Sequence, residues 1–357
     1  MNAININQDR LMALVGMAMS ELSGANGGVM ISVGNKLGLY KAMAGRGPIF
    51  PADLAKRAGC AERYVREWLN CNAAGGYIAY HPETQQYELT PEQAMLLADD
   101  TSPVFIPNAW EVTASMWFDE AKTIEAFRTG KGIAWGDHHE RLYCGVAAFF
   151  RNGYAASLVP DWLPALEGVV PKMETGAKVA DIGCGHGHST VLMAKAFPNS
   201  RFWGFDTHAG SIAEAREVAQ REGVADRVTF EVVQAGEYPA PDGGYDLICF
   251  FDALHDMGFP EAALRHAHKS LAPDGSVMLV EPFAHDRPED NFNPVGRLYY
   301  AGSTMLCCAH AISENGTHVL GAQAGQTRLA EIAKASGFTQ FRRATETPFN
   351  LILEARR

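Results

Sequence analysis

From Lys178 onward, short apolar runs alternate with amphipathic helical stretches, and this alternation restricts the possible folds more than any other feature. The runs predicted as strands lie at 179–182, 201–205, 228–233, 245–251 and 276–280, with helices between them at 189–196, 212–222 and 262–271. Strands that alternate with helices form a mostly parallel sheet covered on both faces. The C-terminal half is therefore predicted to be a doubly wound α/β domain.

The N-terminal half has a different pattern, that of a mainly helical winged-helix domain. Helical apolar spacing predicts one helix through Leu22, a break at 24–28 and a second helix over 29–43. Helices at 52–58 and 61–74 then precede two strand-like runs at 77–80 and 86–89. A chain of 357 residues is expected to form two domains. The predicted boundaries are a helical arm and winged helix over 1–103, an aromatic-rich helical linker over 104–170 and the α/β domain over 171–357.

Composition and charge exclude several classes of protein. No run of 18 apolar residues occurs, and residues 1–10 lack the basic-then-apolar pattern of a signal peptide. We therefore predict a cytoplasmic protein with no membrane segment. The 7 cysteines include no CxxC pair, which argues against a disulfide framework or a zinc ribbon. A net charge of -11 disfavours non-specific binding to nucleic acid.

A glycine-rich turn follows the first strand of the α/β domain. The chain reads Asp181-Ile182-Gly183-Cys184-Gly185-His186-Gly187 before the next helix. Glycines at such a turn let a ligand approach the backbone, and the free N–H groups of a helix start favour its polar or anionic parts. The next strand ends at Asp206, whose carboxylate can accept both hydroxyl groups of a ribose. The pair indicates a nucleoside ligand, although a tight packing turn is the alternative interpretation of the glycines.

This loop resembles the first motif of the class I S-adenosylmethionine-dependent methyltransferases, and it lacks the GxGxxG spacing of dinucleotide-binding enzymes. The resemblance extends over nearly the whole C-terminal half, including a turn at 271–275 and final strands around 338–343 and 348–354. It implies a seven-stranded Rossmann-like sheet and S-adenosyl-L-methionine as the cofactor. The residues expected to bind this cofactor are Asp181, Gly183, Gly185, Gly187, Asp206, Thr207, Gln234, Ala235, Gly236 and Phe251. Gln234 stands where the family often has an acidic residue, so the adenine contacts are assigned to Gln234 and its neighbours.

A histidine follows the fourth predicted strand in the segment Leu254-His255-Asp256. This segment resembles that of the winged-helix small-molecule O-methyltransferases, in which the histidine is a general base. Methyl transfer to a hydroxyl or thiol requires the acceptor to lose its proton, and imidazole titrates in a suitable range. We therefore predict His255 as the base and Glu281, which closes the fifth strand, as its support. A capping histidine and a loop-stabilising carboxylate are the alternatives, and Asp256 is interpreted as a helix-start residue.

The helical linker contributes two further candidates. Phe150 and Tyr154 resemble the aromatic segment that those O-methyltransferases fold over the cofactor, so the linker is expected to close the active site. Plain packing of an aromatic-rich helix is the alternative.

The insertion after the fifth strand is a place where acceptor pockets are often built. Tyr299, Met305 and His310 lie in it and are predicted to contact the acceptor. Cys307, Cys308 and His310 also carry soft ligand atoms, but adjacent cysteines on a helix point apart. No metal site is therefore predicted.

The winged helix could contact DNA or join two copies of the chain. Residues 81–100 contain five acidic side chains and no Lys or Arg, whereas a wing that approaches phosphates should carry bases. We therefore predict a homodimer formed through the N-terminal domain.

The domain order and the late segments 321–325 and 341–350 resemble a group of winged-helix class I methyltransferases found in mycobacteria and proteobacteria, whose acceptors are mostly unassigned. The predicted function is methyl transfer to an oxygen or sulfur of a small molecule. The alternative is a transcriptional regulator that senses S-adenosylmethionine.

Overall fold

The computed structural model describes residues 6–357, so the first five residues, which entered the signal-peptide prediction, lie outside the described residues. The chain divides into two compact units, one ending at Ala114 and the other running from Ser115 to Arg357. The predicted linker, 104–170, is divided between them. Within the described part of the chain, no helix is long and apolar enough to cross a membrane.

The first unit is mainly helical and carries a two-stranded wing. Its elements are α1 (Gln8–Lys36), α2 (Leu39–Met43), α3 (Pro51–Ala58), α4 (Glu62–Ala74), β1 (Ala79–His81), β2 (Gln86–Glu88), α5 (Pro91–Leu97) and the start of α6 (Pro107–Phe118). The strands β1 and β2 pair antiparallel, and Ile49 makes a further bridge to Tyr87. The order of α3, α4 and the wing is the one predicted from the sequence.

Helix α1 is continuous, so the predicted break at 24–28 is wrong. A glycine inside a helix costs only about 1 kcal/mol relative to alanine, which packing readily offsets. Two glycines of α1 permit close packing: a Cβ on Gly28 would lie 2.2 Å from the Trp110 ring, and one on Gly34 would lie 2.4 Å from the Trp68 ring. At these two positions glycine serves helix packing and not a turn.

The second unit is built on a seven-stranded sheet, which confirms the predicted α/β fold. Its strands are β3 (Lys178–Ile182), β4 (Arg201–Asp206), β5 (Val228–Val232), β6 (Tyr245–Phe251), β7 (Leu271–Pro282), β8 (Gln340–Glu346) and β9 (Asn350–Arg356). They lie in the order β5-β4-β3-β6-β7-β9-β8. All pairs are parallel except those of β9, which runs antiparallel to both β7 and β8.

Helices cover both faces of this sheet. The helices that follow α6 are α7 (Glu120–Thr129), α8 (Arg141–Ser157), α9 (Val169–Thr175), α10 (His188–Ala196), α11 (Ala209–Arg221), α12 (Pro260–Ser270), α13 (Pro294–Gly302), α14 (Cys308–Ser313) and α15 (Gly325–Ala335), and of these α9, α10, α11, α12 and α15 pack directly against strands. Successive residues of β3 face different cores: Val179 packs into one apolar cluster and Ala180 into the other. The central strands are therefore buried on both sides.

The carboxyl ends of β4, β3, β6 and β7 lie side by side because these strands are parallel. The antiparallel strand β9 begins at the same edge, where Asn350 pairs with Pro282 at the end of β7. An open α/β sheet binds its ligands outside this edge.

Candidate functional site

The turn between β3 and α10 contains three glycines with left-handed backbone. Gly183, Gly185 and Gly187 have φ values of 74°, 52° and 72°. A Cβ on Gly183 would lie 2.7 Å from the Ala253 Cβ, and one on Gly187 would lie 2.5 Å from the Phe230 ring. A Cβ on Gly185 would meet nothing within 4 Å. Two glycines are thus needed for packing, and the third leaves the backbone accessible to a ligand.

Asp181 lies near the end of β3 and is completely buried. Its Oδ2 accepts hydrogen bonds of 2.6 Å from the hydroxyl groups of Ser189 and Thr190, both in the first turn of α10. Its Oδ1 has no hydrogen-bond partner among the described residues. Burial raises the pKa of Asp181 to about 6, although the two hydroxyl groups act in the opposite direction. Asp181 therefore links the end of β3 to the first turn of α10 and so holds the glycine turn between them.

Asp206 ends β4 and lies against the same glycine turn. Its Oδ2 accepts the N–H of Gly185 at 2.9 Å, and its Oδ1 accepts the N–H of His208 at 2.8 Å. A carboxylate oxygen can accept more than one hydrogen bond, so both oxygens retain acceptor capacity. The two backbone donors fix the orientation of the carboxylate toward the edge of the sheet.

The other residues predicted to contact the nucleoside lie next to Asp206. The backbone N–H of Val233 donates to the carbonyl of Asp206 at 3.0 Å, which places the loop after β5 beside the end of β4. In this region Thr207, Gln234 and Gly236 are exposed and Ala235 is half-buried. These positions are accessible from the carboxyl edge.

The aromatic candidates form one connected group on α8 and β6. The rings of Phe150 and Tyr154 stack with centroids 5.7 Å apart, and Tyr154 lies 5.5 Å from Phe251. Trp162 packs edge-on against Tyr154 at 5.8 Å. The structure thus brings together the three aromatic residues that the sequence analysis assigned to the cofactor.

His255 lies in a short 3-10 turn, Leu254–Asp256, just beyond β6, and it is buried. Its Nδ1 lies 2.6 Å from Oε2 of Glu281, and the other oxygen of Glu281 accepts the N–H of Leu254 at 3.2 Å. Nε2 lies 3.0 Å from Oδ1 of Asp256, close enough for an ion pair but not aligned for a hydrogen bond. Glu281 therefore orients the imidazole through Nδ1, and Asp256 lies against Nε2.

The charges around His255 govern its protonation. Burial alone would lower the pKa of His255, but Asp256 and Glu281 outweigh it and hold the pKa well above 6.5. Asp256 faces this imidazole, and the next helix begins only at Pro260. The interpretation of Asp256 as a helix-start residue is therefore wrong.

Asp252 is a residue of this edge that the sequence analysis did not single out. Its Oδ2 accepts a hydrogen bond of 3.0 Å from the Tyr154 hydroxyl, and its Oδ1 accepts one of 2.9 Å from the side-chain amide of Asn350. Burial, with the nearby charge of Glu281, raises the pKa of Asp252 to about 7 despite the opposing effect of His255. A signal was present, since Asp252 follows an apolar strand directly. Asn350 lies 98 positions away and carried no such signal.

The three residues predicted to contact the acceptor occupy different environments. The Tyr299 hydroxyl donates to the carbonyl of Phe349 at 2.8 Å, and burial raises its pKa. Met305 is half-buried in a π-helical turn over Ser303–Cys307. His310 accepts the backbone N–H of Trp135 at 3.2 Å through Nδ1, so this ring holds a neighbouring loop.

Cys307 lies close to His255 and Asp256 instead of joining Cys308 and His310. The ligand atoms of these three residues lie within 4.8 Å of one another, the one such group found in the described part of the chain. Cys308 contacts the Ser303 hydroxyl at 3.4 Å. Burial and the charge of Asp256 raise the pKa of Cys307 to about 12, so the thiol keeps its proton. We interpret the group as a buried ion pair beside a neutral thiol.

Two protein-family models match parts of the chain. Residues 173–337 match the family described as a methyltransferase domain, Methyltransf_31. Residues 25–99 match the Rv2258c-like winged HTH domain.

Curated relatives match the chain over part of their length. The 27-O-demethylrifamycin SV methyltransferase of Amycolatopsis mediterranei is 32% identical over 114 residues, which are 32% of this chain and 41% of that protein. The trans-aconitate 2-methyltransferase of Paracidovorax citrulli is 32% identical over 142 residues, which are 36% of this chain and 53% of that protein. The chain thus spans about half or less of these relatives.

Two solved structures share the fold over almost the whole chain. The mitomycin 7-O-methyltransferase superimposes with a TM-score of 0.71 at 19% identity, covering 98% of this chain and 100% of that one. Human N-acetylserotonin methyltransferase, solved with S-adenosylmethionine, gives a TM-score of 0.68 at 16% identity, covering 100% and 99%. At these identities the likeness establishes the fold.

The position of Asp206 leads to a first prediction. Replacing Asp206→Ala should weaken the binding of S-adenosylhomocysteine by about 100-fold or more, because two charge-assisted hydrogen bonds to the ribose are lost. Titration calorimetry measures the affinity. The control is Asp226→Ala, which removes an exposed carboxylate of the same domain and should leave binding unchanged. Near-normal affinity of the Asp206→Ala protein would remove Asp206 from the ribose site.

Proposed function

Because residues 173–337 match a methyltransferase domain and residues 25–99 match a winged HTH domain, we propose that this protein uses S-adenosylmethionine to methylate an oxygen of a small-molecule acceptor, with His255 as the proton acceptor. The observation that carries this proposal is the buried contact of 2.6 Å between His255 and Glu281. The segment that contains His255 adjoins the glycine turn, since a Cβ on Gly183 would meet Ala253 at 2.7 Å. A base at this position lies beside the expected methyl donor.

His255, Glu281 and Asp256 have different roles in the proposed reaction. S-adenosylmethionine, when bound, supplies a methyl group on a positively charged sulfur. The acceptor hydroxyl loses its proton to Nε2 of His255 as its oxygen attacks the methyl carbon, because a neutral hydroxyl is a weak nucleophile. Glu281 holds Nδ1–H and stabilises the imidazolium that forms, and Asp256 adds a second negative charge at 3.0 Å.

The elevated pKa of His255 fits this role when the methyl donor is considered. In the free protein Asp256 and Glu281 favour the charged imidazole, since they outweigh burial and hold the pKa of His255 well above 6.5. A positive charge bound nearby lowers the pKa of a histidine. Binding of the cationic donor therefore favours loss of the imidazole proton and prepares Nε2 to accept another from the substrate.

Oxygen is favoured as the accepting atom because the first curated relative and the first solved structure described above are O-methyltransferases by name. Sulfur is the other accepting atom predicted from the sequence, and the thiols in the acceptor panel below test it. The regulator alternative is not favoured, since the family matched by residues 173–337 is a methyltransferase domain and the wing region 81–100 carries five acidic side chains and no Lys or Arg.

Release of S-adenosylhomocysteine by the purified protein tests the proposal. The acceptor panel should run from phenols and hydroxy acids to alkyl thiols, and we expect turnover with a hydroxyl-bearing compound. His255→Ala should retain donor binding while turnover falls by about 100-fold, the usual effect of losing a general base. His268→Ala, which removes a histidine from α12, is the matched control and should keep wild-type turnover. Unchanged turnover of the His255→Ala protein with a hydroxyl acceptor would exclude His255 as the base.

The predicted homodimer is supported by the surface of α1. Over residues 11–22 this helix exposes a group of large apolar side chains: Leu11, Met12, Leu14, Val15, Met17, Met19 and Leu22. Contiguous apolar surface of this kind marks an interaction site in most water-soluble proteins. We propose that a second copy of the chain covers it.

Charge placed on this surface should separate the copies. We expect the wild-type protein to elute at twice the mass of one chain in size-exclusion chromatography with light scattering. The double variant Leu14→Glu, Met17→Glu should elute as a single chain, because burying two carboxylates in an apolar contact is costly. Tyr64→Glu, at a position 82% exposed on α4, should leave the mass unchanged. A monomeric wild type, or a double variant that stays dimeric, would contradict the assignment.

A further inference from the structure

Asp252 occupies an unusual backbone position at the carboxyl edge of the sheet. It has φ 48°, in the left-handed region that residues other than glycine seldom adopt. Such positions persist where the surrounding structure holds them, and they concentrate at functional sites. Here the N–H of Asp252 donates to the carbonyl of Val280 at 2.7 Å, and its side chain is held by Tyr154 and Asn350. The conformation directs the carboxyl group into the group of aromatic and polar residues described above.

The charges near Asp252 do not balance. The imidazole of His255 is the positive group that acts on it, and that ring already lies 2.6 Å from Glu281 and 3.0 Å from Asp256. The two hydrogen-bond donors to Asp252, the Tyr154 hydroxyl and the Asn350 amide, are neutral. A carboxylate withdrawn from water without a cation is unfavourable. A positively charged ligand would restore the balance.

A second buried carboxyl group, that of Asp181, lies near the same aromatic residues. It is completely buried, yet its Oδ1 has no hydrogen-bond partner among the described residues. Burial raises the pKa of the Tyr154 hydroxyl, and the charges of Asp252, Asp181 and Glu281 add to the rise. The negative charges of these three carboxyl groups therefore all act on the Tyr154 hydroxyl. Asp181 and Glu281 are sealed from solvent, whereas Asp252 is half-buried and can be reached by a ligand.

The sheet places Asp252 beside the glycine turn. Strands β3 and β6 are neighbours, with Ile182 paired to Phe250, so Gly183 and Asp252 follow adjacent strand ends. The next residue, Ala253, would be 2.7 Å from a Cβ on Gly183. A ligand that lies over the glycine turn therefore passes close to the Asp252 carboxylate.

We propose that the Asp252 carboxylate is the counter-charge of the sulfonium group of the methyl donor. This inference rests on the proposed function, because it takes S-adenosylmethionine as the donor. The sulfur of the donor is positive before methyl transfer and neutral afterwards, while the rest of the molecule keeps its charges. The carboxylate therefore stabilises the bound donor more than the bound product, and the site discriminates between them by charge.

Binding of three ligands to two variants tests this role. The ligands are S-adenosylmethionine, S-adenosylhomocysteine and an analogue that carries an ammonium group in place of the sulfonium. Wild-type protein should bind both cationic ligands more tightly than S-adenosylhomocysteine. Asp252→Asn should weaken the two cationic ligands by about tenfold or more and S-adenosylhomocysteine by less than about threefold, because only the charge pair is lost. Asparagine tolerates positive φ, so the backbone is retained.

Asp226→Asn is the matched control, since it makes the same chemical change at an exposed carboxylate of the same domain. It should leave the affinity for all three ligands unchanged. Equal weakening of all three ligands by Asp252→Asn, or no weakening, would overturn the role as a sulfonium counter-charge. A wild-type protein that binds the three ligands equally would overturn it without any variant. If the wild type binds none of them, the proposed donor is wrong and this inference fails with it.

Discussion

Parallel strands end at the same edge of their sheet, and in this protein that edge gathers five ionisable side chains. Asp181, Asp206 and Glu281 lie at or near the ends of β3, β4 and β7, while Asp252 and His255 follow β6. The apolar faces of the sheet fix the register of these strands, because a shift by one residue would turn every buried side chain to the other face. The core therefore sets the geometry of the site.

Hydrogen bonds from neutral groups hold the carboxylates of this edge in place. Asp181 accepts hydrogen bonds from two hydroxyl groups, and Asp206 accepts them from two backbone N–H groups. Asp252 accepts one from a hydroxyl group and one from a side-chain amide. One imidazole is shared by Glu281 and Asp256. The edge thus carries more negative than positive charge, an arrangement suited to a cationic ligand. A sulfonium methyl donor has that charge and loses it at the reacting atom when the methyl group leaves.

Local sequence signals predicted the fold and much of the site. The alternating apolar runs located the strands of the sheet, and the glycine spacing located the turn beside Asp181. Pairings between distant segments could not be predicted in this way. Asn350 reaches Asp252 only because β9 runs antiparallel to β7, and Cys307 approaches His255 from an insertion with no strand pattern. The continuous helix α1 was missed because Gly24, Gly27 and Gly28 resemble the glycines of a turn, although Gly28 packs against Trp110.

In the proposed reaction the neutral imidazole of His255, oriented by Glu281, accepts the proton of the substrate. The most direct measurement is the pH dependence of kcat/KM for the wild type and for Glu281→Gln. Wild-type activity is expected to rise with pH through a pKa above 6.5, because the imidazole must first lose its proton. Glu281→Gln removes a negative charge that favours the imidazolium, so the midpoint should move to lower pH while turnover decreases. Identical midpoints for the two proteins would contradict the claim.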